Sequence, residues 1–155
     1  MIAFIKGLAE LVTLWVVLTT TAFFSVILWN APANAIFERM GLHDVDNKLT
    51  ALYFVLPLMF GWLAICPLYV LSKLLKLRLY LSNIVLFAIG YPLILFCLDV
   101  GGGSTLAIEF TVLGLVPLTV SGAIGGAAMP LIVRLFGWIA SSLRNGFARL
   151  FAPRT

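Results

Sequence analysis

The residues able to do chemistry in this chain are few and scattered. The only histidine, His43, stands beside Asp44, Asp46 and Asn47. One imidazole and two carboxylates fall short of a closed metal site, and nothing else in the sequence completes the set. Asp46 or Asn47 is better placed to cap the start of a following helix by accepting a hydrogen bond from a backbone N–H. The two cysteines, Cys66 and Cys97, lie inside apolar runs without a second thiol or a histidine at ligand spacing. Both read as small buried hydrophobes. Gly101, Gly102 and Gly103 form a flexible loop rather than a phosphate cradle. With no nucleophile near His43 and no paired carboxylates in the spans, the expectation is a protein that is not an enzyme and holds no cofactor or metal.

The elements that carry these residues explain the scarcity. Of 155 residues, 63% are hydrophobic and only 10% charged. A soluble domain carries about a quarter charged residues, so most of this surface must face lipid. Four charge-free stretches, 11–29, 49–72, 79–98 and 110–133, are long enough for a bilayer core, which takes about 20 residues of helix. Each is apolar around its whole circumference, and none alternates as a membrane β-strand would. The sequence therefore predicts an all-α integral membrane protein with a four-helix domain over residues 1–133 and a tail over 134–155.

Charge placement sets the expected orientation. Lys6, Lys73, Lys76, Arg78, Arg134, Arg144, Arg149 and Arg154 fall on one side of the spans, and only Arg39 and Lys48 on the other. Lysine and arginine remain cytoplasmic, so both termini are expected inside, in a bacterial inner membrane. Lys6, the following apolar run and Ala33-Asn34-Ala35 also resemble a secretory signal peptide. That run is longer than a signal core and carries Trp15, Phe23, Phe24 and Trp29, so the helix is expected to be retained. The short 35–40 stretch is expected to form a turn of helix on the membrane surface.

The net charge of +4 does not indicate nucleic acid, because no basic face is interleaved with aromatic stacking residues. Lys73, Lys76, Arg78, Arg134, Arg144 and Arg149 instead suit an anionic cytoplasmic leaflet. In the tail, Ile132, Phe136, Ile139, Leu143, Phe147 and Leu150 recur at helical spacing, with Arg134, Ser141, Asn145 and Arg149 on another face. An amphipathic basic helix lying in the headgroup layer, or extending span four, is the expected form.

Span four is the most unusual stretch. Gly114, Ser121, Gly122, Gly125 and Gly126 leave one helix face nearly bare, with Gly122 and Gly126 in GxxxG spacing. A neighbour can approach closely there: another span of the same chain, a second copy, or a different membrane protein. Pro57, Pro67, Pro92, Pro117 and Pro130 each remove a helical hydrogen bond inside a span. Ser82 and Asn83 are placed to cap span three.

Glu10 lies within Gly7-Leu8-Ala9-Glu10-Leu11, just before span one. Leu8-Ala9-Glu10 is similar to the setting of the glutamate in the first helix of small multidrug-resistance transporters, which are also four-helix proteins. The similarity covers three residues, and none of that family's other positions recurs. Taken on its own surroundings, Glu10 reads as an interfacial residue one turn from Lys6. In size and architecture the chain resembles bacterial immunity or exclusion proteins, which implies action through protein–protein contact in the bilayer. A small oligomeric transporter or channel and an accessory subunit of a membrane complex are the alternatives.

Overall fold

The computed structural model describes residues 2–40, 46–75, 80–101 and 114–150. His43 and Asp44, the link holding Lys76 and Arg78, the loop with Gly102, Gly103 and Glu109, and Arg154 lie outside the described residues. So do residues 110–113, where span four was expected to begin.

Four helices are described: α1 (Ile2–Met40), α2 (Asp46–Leu74), α3 (Tyr80–Gly101) and α4 (Leu115–Leu150). All four are long and apolar enough to cross a membrane. They outrun the charge-free stretches that announce them. α1 has 39 residues and α4 has 36, which gives lengths of about 58 and 54 Å against a hydrocarbon core of about 30 Å. Charged residues end an apolar run but not a helix, since Lys, Glu and Arg are good helix formers. Thus α1 begins well before Leu11 and runs through Pro32 to Met40, where a separate surface turn was expected. α4 likewise passes Pro130 and Arg134 without a break.

The helices pack in a ring, α1 on α2 and α4, and α3 on the same two neighbours. Neighbours run antiparallel. Gly122 and Gly126 of α4 face the backbone of Phe87 and Asn83 of α3 in reversed order, and Gly125 faces Leu18 of α1. The start of α1 reaches the C-terminal half of α4, with the Lys6 ammonium beside Gly137. Lys6, Lys73 and Arg134 therefore share one end of the bundle.

The inner stripe of α1 is Glu10, Leu14, Leu18 and Ala22, and that of α3 is Asn83, Phe87, Tyr91 and Leu95. Residues four apart stack along one side of a helix, so each stripe forms a continuous row facing the axis. Ala64, Ile65 and Leu68 of α2 and Leu118 and Met129 of α4 close the core. Phe4, Val12, Phe24, Trp62, Ile89, Leu93, Leu131 and Trp138 point outward, where a soluble protein would carry charge.

Candidate functional site

Among the described residues, Glu10 forms the most polar buried site. Its side chain is 1% exposed, one and a half turns before Trp15 on the inner stripe of α1. In hydrocarbon an isolated carboxylate costs several kcal/mol, so its partners decide whether it can remain charged. Tyr69 of α2 donates its hydroxyl hydrogen to Glu10 Oε2. The Lys73 ammonium, one turn further along α2, donates to the same oxygen at 3.3 Å. Lys6 sits on the other side, its Nζ 3.7 Å from Oε1, an ion pair too long for a hydrogen bond. Lys73 also lies over the Tyr69 ring, 5.2 Å from its centroid, in cation–π geometry. Two cations thus face one anion, and the lysine side chains remain 33% and 41% exposed.

The expected pairing of Glu10 with Lys6 is present, but the residue is not a solvent-facing interfacial group. It ties α1 to α2 from inside the bundle. Tyr69 and Lys73 are 59 and 63 residues away in sequence, so no local pattern in the chain announces them.

Next to this cluster, Ser72 Oγ donates to Asn83 Oδ1 at 2.5 Å, joining the end of α2 to the start of α3. The Met129 sulfur of α4 lies 3.2 Å from the same hydroxyl. Asn83, expected at a cap, is buried and uses its side-chain carbonyl in this contact. Deeper in the bundle, Ser121 Oγ of α4 donates to the Leu18 carbonyl of α1 at 2.7 Å. Thr21 Oγ1 is 3.0 Å from Ser121 Oγ and also within reach of the Val17 carbonyl at 2.8 Å.

The small residues of α4 gather on this seam. A methyl group added at Gly122 would strike the Phe87 carbonyl, and one at Gly126 would strike that of Asn83. At Gly125 it would run into the Leu18 side chain. Gly114, just before α4, is buried as well. Gly122 and Gly126 thus meet α3, while Ser121 and Gly125 meet α1. Among the basic residues, Lys73 joins the Glu10 cluster, and Arg134 and Arg144 are exposed on α4. Arg149 belongs to the last turn of α4.

Tyr91 is fully buried at the bundle centre, and its hydroxyl lacks a hydrogen-bond partner among the described residues, as does Trp15 Nε1. Both flank Gly61, whose Cβ would lie 3.2 Å from the Tyr91 oxygen and 3.7 Å from the Trp15 nitrogen. Among the described residues, apolar grooves mark the outer surface. One runs between α1 and α2 with a volume of about 430 Å³, and another between α3 and α4 with about 340 Å³.

Among the described residues, fold and site are four helices long and apolar enough to cross a membrane and a buried carboxylate, Glu10, held by two ammonium groups and a phenol. Comparison with known proteins gives no match: no family model, no curated protein and no solved structure is similar to this chain at a significant level.

Proposed function

We propose that this is a non-enzymatic protein of the bacterial inner membrane that acts by associating with another protein inside the bilayer, in the manner of an immunity or exclusion factor. The observation that supports this is the filled bundle axis. Leu14, Leu18, Ile65, Phe87, Tyr91, Leu95 and Leu118 are all nearly or fully buried along it. Among the described residues, side chains rather than a passage for solute occupy the axis, and what the bundle presents to other molecules is its lipid-facing side and its two ends. The prolines inside the spans, the glycines of α4 and Glu10 favour a transporter, yet two ammonium groups and a phenol already hold the Glu10 carboxylate.

Both termini lie on the cytoplasmic side in this proposal, because Lys6, Lys73 and Arg134 share an end of the bundle and basic residues remain inside. The last turns of α4, with Ser141, Arg144 and Asn145 exposed, form the basic amphipathic segment at that surface. The GxxxG face serves close packing of α4 within the chain. A partner helix then meets the outer faces, such as the α3–α4 groove around Ile89, Pro92, Leu93 and Thr119.

Two measurements test this together. Photo-crosslinkers placed singly at Trp62, Leu93 and Leu131, all exposed, should give a discrete heteroprotein adduct in the native membrane from one face only. Purified protein in proteoliposomes should leave the passage of protons and small cations unchanged. Solute flux above that of empty vesicles, with no face-specific adduct, would favour the transporter alternative.

A further inference from the structure

The groove between α1 and α2 has an apolar body and a basic end. Leu8, Val12 and Trp15 form one wall, and Leu58, Trp62 and Cys66 the other. From residue 58 to residue 66 it follows α2 for about 12 Å. Trp62, Cys66, Tyr69 and Lys73 are spaced by four, three and four, so Tyr69 and Lys73 continue the same face beyond the groove. The Lys73 side chain folds back over the Tyr69 ring, about two turns of α2 beyond Cys66 on that face. An ammonium has three N–H donors, of which Glu10 takes one, and 41% of this side chain is exposed. Within this cluster of described residues, Lys6 and Lys73 against Glu10 leave one positive charge in excess. Lys76 and Arg78 follow closely in the chain.

An apolar channel leading toward a cation with donors to spare has the chemistry of a phospholipid site. We propose that the α1–α2 groove binds one anionic phospholipid, with an acyl chain along Leu58, Trp62 and Cys66 and its phosphate on the Lys73 ammonium. The apolar body selects a lipid over a free anion, and the residual positive charge selects an anionic headgroup over a zwitterionic one. This goes beyond the protein–protein association proposed above and does not depend on it.

Native mass spectrometry of the full chain in a neutral detergent tests the site, after exposure to equal amounts of phosphatidylglycerol and phosphatidylcholine. One phosphatidylglycerol should be retained with a preference of about fivefold or more, and millimolar inorganic phosphate should not displace it. Lys73→Gln should remove the preference. Glu10→Gln, which keeps an acceptor for Tyr69 but frees the charge of Lys73, should strengthen it. Val12→Trp, which fills the groove from an exposed position, should lower retention of both lipids. Opposite responses of the two charge variants distinguish a headgroup site from an ion pair that merely holds the fold. If Lys73→Gln does not fold, the rise in Glu10→Gln over wild type decides. Equal retention of the two lipids, displacement by phosphate, or a fall in Glu10→Gln would overturn the proposal.

Discussion

The α3–α4 seam and the α1–α2 seam solve one problem with opposite means. Lipid tails are as apolar as leucine, so helices in a bilayer gain little by burying apolar faces on each other. At the α3–α4 seam the answer is to remove side chains. Gly122 and Gly126 let α4 rest on the backbone of Phe87 and Asn83. Close backbone approach multiplies van der Waals contacts and permits weak Cα–H···O bonds. At the α1–α2 seam the side chains are large and charged, and Glu10, Tyr69 and Lys73 carry the attachment. A seam of bare backbone tolerates almost no added atom, whereas a seam of long side chains can rearrange. Substitutions should therefore act very differently at the two.

The largest effect is expected at the glycines. Gly122→Leu or Gly126→Leu forces a side chain into the backbone of α3, which cannot move aside as a rotamer can. Overpacking of this kind costs about 3 kcal/mol or more, and folded protein should be lost, as read by detergent-solubilised yield and thermal unfolding. At Gly125 the atoms nearest an added Cβ belong to the Leu18 side chain, which can change rotamer, so Gly125→Leu should cost less. Equal losses at all three positions would mean that backbone contact does not set the tolerance of this seam.

Glu10→Ala comes next. It removes the acid that Lys6, Tyr69 and Lys73 surround and leaves the Tyr69 hydroxyl without its acceptor, a loss of about 2 kcal/mol. Lys6 and Lys73 are exposed enough to turn toward water, so the protein should remain folded with a lowered unfolding temperature. A thermal shift as small as that of a lipid-facing control would show that the cluster contributes little to stability. Ser121→Ala should have a smaller effect, about 0.6 kcal/mol, the usual size of an interhelical hydrogen bond in a membrane. Val116→Leu changes an exposed position and should match wild type in yield and unfolding temperature.

Much of the fold was legible in the residues, and the reason is physical. A helix that faces lipid must be apolar on every side, so the four spans stand out by composition alone. Helix ends were less legible, because Glu10, Asn30 and Arg134 bound the stretches read as spans yet stand inside the helices. The bare face of α4 was visible in its glycine spacing, but spacing does not say which helix covers it. For Glu10 only Lys6, four residues away, could be found locally. Tyr69 and Lys73 reach it through the antiparallel pairing of α1 and α2, which no short pattern encodes. Ser72 and Tyr91 gave no signal, since a serine at a span end and a lone tyrosine within a span are ordinary in a membrane helix.

The claim that the small-residue face of α4 is closed by this chain's own helices has a direct test. Thr21 Oγ1 of α1 and Ser121 Oγ of α4 are 3.0 Å apart, within reach of a disulfide if both become cysteine. Thr21→Cys with Ser121→Cys, in a chain where Cys66 and Cys97 are replaced by alanine, should oxidise in membranes to an intramolecular disulfide. On non-reducing gels the product should run as a monomer of altered mobility that reduction restores. A disulfide-linked dimer as the main product, or folded protein in which the two thiols do not pair, would contradict it.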